Sequence, residues 1–210
     1  MSKYNIHILT ALWKRPDITN LFIQGVKRLG FDCTASISEE SYISVCDANG
    51  INWIMTPNKP LGAKWNAGLR EALNHEWDYL LILGSDDLIS NDLIYRYMSY
   101  EGWDMIGVRD LYLYKDGRVK YFASKRLKTI GAGRLLKRSA IEKCGMLWSD
   151  HKNKGLDGNC SKRLRMKRLK EVAINMGDSI VVDIKSDVNM NSFDKLEGEI
   201  VNKKLNLPEL

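Results

Sequence analysis

The 210-residue sequence predicts an α/β fold: a mostly parallel central sheet flanked by helices, with a small hairpin-containing region in the second half. Two observations lead to this prediction. Over the first hundred residues, strand-like segments alternate with helical segments, an order that implies right-handed crossovers between parallel strands. Residues 79–83 form an apolar run bounded by Asp and Gly, which is typical of a strand buried on both faces.

The first half is predicted to begin with a strand over residues 4–10. Pro16 and Asp17 then open a helix that Gly30 closes, because proline suits the first helical turn and glycine the left-handed residue after the last. The remaining predicted elements here are strands over 34–38 and 52–56, a helix over 64–74, and the buried strand over 79–83.

The second half is predicted to contain shorter elements. Ser90 or Asn91 caps a helix that runs to Tyr97. Lys115-Asp116-Gly117 lies between two alternating segments, 111–114 and 119–122, and this pattern predicts a hairpin.

Further elements are predicted on either side of the hairpin. A strand over 105–108 precedes it. After it, Ser139 and Glu142 have the spacing of a capping box, with Gly145 ending that helix. A basic helix preceded by Asp157, a strand over 179–184, and a polar, loosely held tail from Phe193 complete the prediction.

Composition indicates a globular protein, with 44% hydrophobic and 28% charged residues. No apolar run reaches the 18 residues of a membrane span, and the first residues lack the layout of a signal peptide. Four cysteines are scattered without C-x-x-C spacing, which favours reduced structural thiols and a cytoplasmic location; they are Cys33, Cys46, Cys144 and Cys160.

The net charge of +6 is unevenly distributed. One short helical stretch contains Lys162, Arg163, Arg165, Lys167, Arg168 and Lys170. Such a surface attracts a polyanion, whether nucleic acid, an anionic membrane or a phosphorylated substrate. The alternative interpretation is a solvated helix face.

Two adjacent carboxylates, Asp86 and Asp87, follow the buried strand. The carboxyl end of a strand is where an open α/β sheet binds ligands. Neighbouring carboxylates repel each other unless a cation or hydrogen-bond donors offset the repulsion. The sequence therefore predicts a metal and phosphate site here; the alternative is a solvated turn in which Asp87 or Ser90 caps the next helix.

Four segments, taken in order, resemble motifs of the GT-A glycosyltransferases, specifically the family-2-type enzymes that use nucleotide sugars. They are the strand and loop of 8–16, the glycine-rich turn and helix of 58–68, Gly84-Ser85-Asp86-Asp87 at the place of the DxD motif, and residues 156–164 at the place of the ED-x-(acid)-x-x-x-Arg motif. The resemblance covers residues 4–185. It implies one GT-A-like domain over 1–210, with a nucleotide-sugar-binding half (1–100), an acceptor-binding half (101–192) and a tail (193–210).

The resemblance implies a donor site built from Thr10, Arg15, Glu39, Gly62, Lys64, Asn66, Ser85 and Asp86. A glycine before a helix lets a ligand approach the backbone, and the helix start favours an anion. A lysine beside it adds a point charge for a diphosphate. The alternatives are a plain turn with a surface lysine, an asparagine merely in the first helical turn, and solvated loop charges at Arg15, Glu39 or Glu40.

The sequence departs from the family pattern at two positions. Gly84 replaces the first DxD acid, so Asp86 takes the metal position with Asp87 beside it; Mn²⁺ or Mg²⁺ suits such oxygen ligands. Leu156 replaces the Glu before the catalytic acid. No histidine follows His151 to complete a metal site, and the candidates to substitute for it are Asp183, Lys185 and Asp187.

Asp157 is the candidate general base, because an inverting transfer needs a carboxylate that accepts the proton of the attacking hydroxyl. Its alternative role is an N-cap of the basic helix. Arg163, in the same motif, and Trp148, which precedes it and could stack on a sugar or base, are predicted acceptor residues.

The resemblance implies a metal-assisted glycosyltransferase with a UDP-sugar donor and a hydroxyl acceptor. The acceptor is a glycan or, as for some viral members of the family, a hydroxymethylated base in DNA. The alternatives are a sugar-nucleotide nucleotidyltransferase, which has a related core, and a degenerate nucleotide-sugar-binding module, favoured by the missing acids at Gly84 and Leu156.

Overall fold

The computed structural model describes residues 4–125, 128–187 and 193–210. In these ranges the strands are β1 (Ile6–Leu12), β2 (Asp32–Ile37), β3 (Asn52–Met55), β4 (Tyr79–Ile82), β5 (Asp87–Ile89), β6 (Met105–Val108), β7 (Asp110–Lys115), β8 (Arg118–Ala123), β9 (Arg134–Lys137), β10 (Glu171–Ile174), β11 (Val181–Ile184) and β12 (Glu199–Ile200). The helices are α1 (Pro16–Leu29), α2 (Ser41–Ala48), α3 (Leu61–Ala72), α4 (Asp92–Met98), α5 (Arg138–Cys144), α6 (Leu156–Met166) and a final 3₁₀ helix (Leu207–Glu209).

The main sheet has the strand order β10-β6-β9-β4-β1-β2-β3. All neighbouring strands in it are parallel except the two pairs made by β9, which runs antiparallel to β4 and β6. The central strands β1 and β4 are almost wholly buried, as their apolar sequences require. The predicted α/β class, with a mostly parallel sheet between helices, is confirmed.

A second, smaller sheet has the order β12-β8-β7-β11-β5. It contains the predicted hairpin, in which Asp116 and Gly117 turn the chain between β7 and β8 with positive φ angles. β11 lies between β7 and β5 and pairs antiparallel with β5, the strand that begins at Asp87. The second sheet therefore extends from the turn that follows β4.

Besides the final 3₁₀ helix, five elements were not predicted: α2, β5, β9, β10 and β12. Each strand among them has four residues or fewer, too short for periodicity to distinguish it from a loop. β9 is the most consequential, because it inserts between β4 and β6 and changes the strand direction in the middle of the sheet.

Two local predictions were wrong. The capping box at Ser139 does not form, because α5 follows β9 directly and Lys137 occupies the N-cap position without a side-chain hydrogen bond. The tail is not loosely held, since β12 pairs with β8 and three apolar side chains of the tail are buried: Phe193, Leu207 and Leu210. Asn91 does occupy the N-cap position of α4, but its side chain makes no capping bond.

Helix α3 packs closely against the centre of the main sheet. A Cβ on Gly68 would lie 2.4 Å from Ser36 Oγ and 2.9 Å from a Leu9 methyl group, so only glycine allows this approach. Ser36 Oγ donates to the Lys64 carbonyl at 2.8 Å, which ties the helix to β2. No helix in the described ranges is long and apolar enough to cross a membrane.

His7 is a titratable group buried in β1. Its Nε2 lies 2.8 Å from Thr34 Oγ1, and its ring stacks on His75 with centroids 5.5 Å apart. Burial, and secondarily the nearby His75, lowers the pKa of His7 to about 4. The folded protein therefore resists protonation that the unfolded chain accepts near pH 6.5.

We expect His7 to make the fold acid-sensitive. Because its folded pKa is below its unfolded pKa, its contribution is intact above pH 6.5 and falls by about 2 kcal/mol between pH 7 and pH 5. In urea unfolding, the free energy of unfolding of His7→Gln should therefore fall by about 2 kcal/mol less than that of the wild type between pH 7 and pH 5. His151→Gln, at an exposed position, is the control; equal pH dependence of His7→Gln and wild type would contradict the assignment.

Candidate active site

The candidate site lies at the carboxyl edge of the main sheet, where β1 and the neighbouring β4 both end. The loop after β1 contains Lys14 and Arg15, and the turn after β4 contains Ser85 and Asp86. Parallel strands bring their following loops to one edge, so residues about 70 positions apart in sequence meet here.

Three carboxylates converge at this edge. Asp86, Asp87 and Asp183 each offer an oxygen, and these oxygens lie within 4.8 Å of one another. Asp87 and Asp183 are directly opposite in the β5/β11 pair, and the Ile184 amide donates to the Asp86 carbonyl at 2.7 Å. Of the three substitutes named from the sequence, the structure brings the carboxylate of Asp183 to the two adjacent acids.

The three carboxylates of the cluster are only partly offset by the hydrogen-bond donors and cations beside them. Burial, and then repulsion by Asp86, raises the pKa of Asp183 to about 6 and that of Asp87 well above 3.8. Gly84 N–H donates to Asp87 Oδ2 at 2.7 Å, and Lys185 Nζ donates to Asp183 Oδ2. Asp183 Oδ1 is buried without a hydrogen-bond partner among the described residues.

These features fit a hard divalent cation. Mn²⁺ and Mg²⁺ prefer carboxylate oxygens, and a cation among the three acids would offset their repulsion and give the orphaned Asp183 oxygen a partner. The acids of this cluster are therefore the residues that can hold a metal in the described part of the chain.

Arg15 supplies a positive charge against this cluster. Its Nη1 donates to Asp86 Oδ2 at 2.8 Å and its Nη2 to Ser85 Oγ at 2.9 Å. Lys14 and Arg15 both adopt left-handed backbone conformations, with φ of 55° and 60°. Consecutive non-glycine residues in this region are strained and persist only where surrounding contacts hold them.

The contacts that hold the loop come from the end of β2 and from α2. Glu39 Oε2 accepts the Lys14 amide at 2.8 Å, and the Tyr42 hydroxyl donates to the Lys14 carbonyl. Glu39, a predicted donor residue, thus fixes the loop that presents Arg15. The arginine is consequently placed on the acids before any ligand arrives.

Gly62 and Lys64 lie at the start of α3. The Gly62 amide donates to the Lys152 carbonyl at 2.8 Å, and a Cβ there would lie 2.0 Å from the Ser149 carbonyl oxygen. The glycine thus admits the loop of residues 149–153. Lys64 Nζ donates to the Leu12 carbonyl at 2.6 Å, and burial lowers its pKa to about 8. Contact of either residue with a phosphate stays a prediction.

Asn66 connects α3 to the segment that contains Trp148 and Asp150. Its amide nitrogen donates to the Trp148 carbonyl at 2.8 Å and to Asp150 Oδ1 at 2.7 Å, and its oxygen accepts the Trp148 amide at 3.2 Å. Thr10, buried in β1, has a hydroxyl without a hydrogen-bond partner in the described ranges. The donor roles predicted for both residues stay predictions.

Asp157 lies in the first turn of α6, with the left-handed Gly155 at the N-cap, so it is not the cap itself. Its side chain is 64% exposed, and Oδ1 lies 3.8 Å from Arg134 Nη1. A Cβ on Gly131 would lie 2.5 Å from the same oxygen. The carboxylate therefore lies between the Arg134 guanidinium and the backbone at Gly131, and its remaining side is exposed to solvent.

Arg134 is a residue that the sequence interpretation missed. It is 2% exposed, donates from Nε to Thr129 Oγ1 and from Nη2 to the Thr129 carbonyl, both at 2.8 Å, and from Nη1 to the Asp157 carbonyl at 3.1 Å. An arginine at the start of an apolar strand, after Gly131 and Gly133, was the available signal.

The position of Arg134 also shows where Asp157 lies relative to the carboxylate cluster. It pairs with Ile82 in the β4/β9 ladder, at the end of the strand that leads to Asp86. Asp157 and the carboxylate cluster therefore lie at the same edge of the main sheet.

The predicted acceptor residues are Trp148 and Arg163. Trp148 is 4% exposed and packs on Trp65, and Arg163 Nη1 donates to the Met146 carbonyl at 2.9 Å. Their contacts with an acceptor stay predictions.

Comparison with known proteins shows similarity in fold. No protein-family model matches the chain, and no curated protein matches its sequence. The structure of S. aureus TarS superposes with a TM-score of 0.64 at 8% identity, over 87% of this chain and 37% of TarS. S. aureus TarS 1–349 in complex with UDP gives 0.59 at 8% identity, over 87% of this chain and 61% of that one.

The inositol-1-phosphate CTP transferase from T. maritima gives a TM-score of 0.59 at 13% identity, over 91% of this chain and 93% of the other. The chain thus spans less than two thirds of the TarS structures and nearly all of the CTP transferase. These similarities show a fold of the GT-A and nucleotidyltransferase-like type.

We expect Asp87→Asn to abolish stabilisation by Mn²⁺. The metal should raise the unfolding free energy of the wild type by about 2.7 kcal/mol at a hundredfold excess over Kd. This stabilisation is measured as a higher melting temperature. Without metal at pH 8 the variant should be at least as stable as the wild type. The raised folded pKa of Asp87 means that its ionisation destabilises the fold as pH rises above 3.8.

The control is Asp116→Asn, in the hairpin turn, where the left-handed backbone suits asparagine. It should retain the whole effect of Mn²⁺ on the melting temperature. Equal stabilisation of Asp87→Asn and the wild type would contradict a metal site at this cluster.

Proposed function

We propose that this protein is a metal-assisted glycosyltransferase that moves a sugar from a UDP-sugar to a hydroxyl acceptor, with inversion at the anomeric carbon. One observation carries the proposal: three converging carboxylates and Arg15 lie at the carboxyl edge of a fold similar to that of TarS, which was solved with UDP. That edge is where α/β sheets bind nucleotides.

The donor's diphosphate is bound beside the acid cluster. Asp86, Asp87 and Asp183 would hold Mn²⁺ or Mg²⁺, which when bound supplies positive charge to the leaving UDP. Asp183 provides the carboxylate that Gly84 does not. Arg15 exchanges its bond to Asp86 for a donor phosphate, a partner that its planar guanidinium binds in bidentate fashion.

The remaining donor contacts come from the loops around this cluster. Glu39 holds the Lys14–Arg15 backbone in place, and Ser85 orients the Arg15 side chain. Thr10 and Lys64 lie in β1 and at the start of α3, beside the loop that carries Arg15. Gly62 and Asn66 fix the loop of residues 149–153 against the donor half.

Asp157 is the general base in this proposal. Its exposed carboxylate accepts the proton of the acceptor hydroxyl as that oxygen attacks the anomeric carbon. Arg134 orients the carboxylate, and the glycine at position 131 leaves it room. The acceptor, a glycan or a hydroxymethylated base in DNA, is bound by the second half, which includes Trp148 and Arg163.

Nucleotidyl transfer is the second candidate function. The observation that favours it is the near-complete overlap with the CTP transferase in both chains, at 91% and 93%. That reaction would use the same acid cluster but would release pyrophosphate, and it gives no role to Asp157 as a base toward a sugar hydroxyl.

A labelled UDP-sugar with Mn²⁺ separates these functions. A glycosyltransferase should hydrolyse the donor slowly and release UDP. A nucleotidyltransferase should instead join a nucleoside triphosphate to a sugar phosphate and release pyrophosphate from the triphosphate. Binding without turnover, across a panel of acceptors analysed by mass spectrometry, would indicate a degenerate binding module instead.

We expect Asp157→Asn to bind UDP and Mn²⁺ like the wild type but to lose transfer by about 10²–10⁴-fold, the usual contribution of a general base. Calorimetry of UDP binding and initial transfer rates measure the two properties separately. Asp116→Asn should leave both unchanged. Full turnover by Asp157→Asn would show that this residue is not the base.

A further inference from the structure

The positive charge of the protein is concentrated in one segment. Residues 151–170 contain eight basic side chains and one acidic side chain, Asp157, which gives this segment a net charge of +7. The whole chain carries +6, so all other residues together sum to −1. The excess charge thus belongs to the twenty residues that surround the candidate base.

Most of these side chains are solvated and unpaired. The basic surface consists of the exposed residues Lys152, Lys154, Lys162, Arg165, Lys167 and Arg168. None of the six makes a side-chain salt bridge or hydrogen bond to another described residue. Elsewhere basic side chains do find carboxylates, such as Lys115 with Asp187 and Arg138 with Glu142.

The basic surface includes residues before α6, within it and after it. Ser149 N–H donates to Asn159 Oδ1 at 2.6 Å, which fixes the loop bearing Lys152 and Lys154 against the first turn of α6. At the far end, burial raises the pKa of the Cys144 thiol, and the positive charges of Lys167, Arg163 and Lys143 counteract that rise. Cations of α5, of α6 and of the residue after α6 therefore lie close together there.

The composition of this surface selects its partner. Met166 is its one large exposed apolar residue in the described ranges, and a helix that lies in a membrane surface needs an apolar face. Helix α6 has eleven residues, about 16 Å, over which one DNA strand carries about five phosphates. A chain of regularly spaced phosphates matches repeated unpaired cations better than a small anion does.

We propose that the basic surface binds nucleic acid and holds it across the first turn of α6, where Asp157 lies. A nucleic-acid strand bound along α6 passes the first turn of the helix, where the Asp157 side chain is 64% exposed, so a hydroxyl on that polymer can reach the base. The use of nucleic acid as the acceptor rests on the proposed glycosyl transfer, whereas the binding itself does not.

Fluorescence anisotropy with a labelled DNA duplex, in a series of salt concentrations, tests the proposal. The wild type should lose affinity linearly in log–log form as salt rises. The triple variant Lys162→Gln/Arg165→Gln/Lys167→Gln should bind more weakly, with a salt slope smaller by about 2 to 3, because each lost phosphate contact removes about 0.9.

The matched control is Lys27→Gln/Lys195→Gln/Lys204→Gln, which removes the same charge from exposed positions elsewhere. It should keep the wild-type slope. Equal slopes for the α6 variant and the wild type, or no DNA binding at all, would overturn the proposal. Tighter binding to anionic vesicles or to polyglutamate than to DNA would overturn the choice of nucleic acid.

Stabilisation by UDP and Mn²⁺, measured by thermal unfolding of the same samples, separates this inference from the proposed function. If the wild type binds UDP with metal but not DNA, the inference fails and the glycosyltransferase proposal stands. If it binds DNA through α6 but neither binds nor hydrolyses a UDP-sugar, the surface stands and the proposed transfer fails.

Discussion

The mutual repulsion of three closely spaced carboxylates is the constraint on which the candidate site depends. Asp86, Asp87 and Asp183 are held together by strand pairing, not by attraction, because the β5/β11 ladder fixes two of them opposite each other. The chain offsets the repulsion with Arg15, Lys185 and the Gly84 amide. That compensation is incomplete, since burial first and repulsion by Asp86 second still raise the pKa values of Asp87 and Asp183.

Incomplete compensation is what a ligand site requires. A cluster fully neutralised by its own side chains would gain little from a cation. Here the strained Lys14–Arg15 loop places one exchangeable guanidinium on the cluster, and contacts from Glu39 and Tyr42 hold that loop in its unfavourable conformation. The strain is thus maintained by the fold around the site, as is common where backbone conformation serves binding.

Contacts between α3 and the loop before α6 place the candidate base. Asn66 bonds to the loop at Trp148 and Asp150, and Gly62 bonds to Lys152. That loop leads into α6, whose first turn bears Asp157. The first turn of α6 is therefore fixed relative to α3, and Arg134 adds a second connection through β9.

The sequence alone determined the alternation of strands and helices, the hairpin at Asp116-Gly117, and the position of Asp86 and Asp87 after a buried strand, because each is set by local periodicity or turn chemistry. The tertiary structure decided what depends on distant pairing: the reversed strand β9, the buried tail, the choice of Asp183 over Lys185 and Asp187, and the contact between Arg134 and Asp157. A four-residue strand or a single acid carries no periodicity. Its role is fixed only when the sheet brings it beside residues that are distant in the sequence.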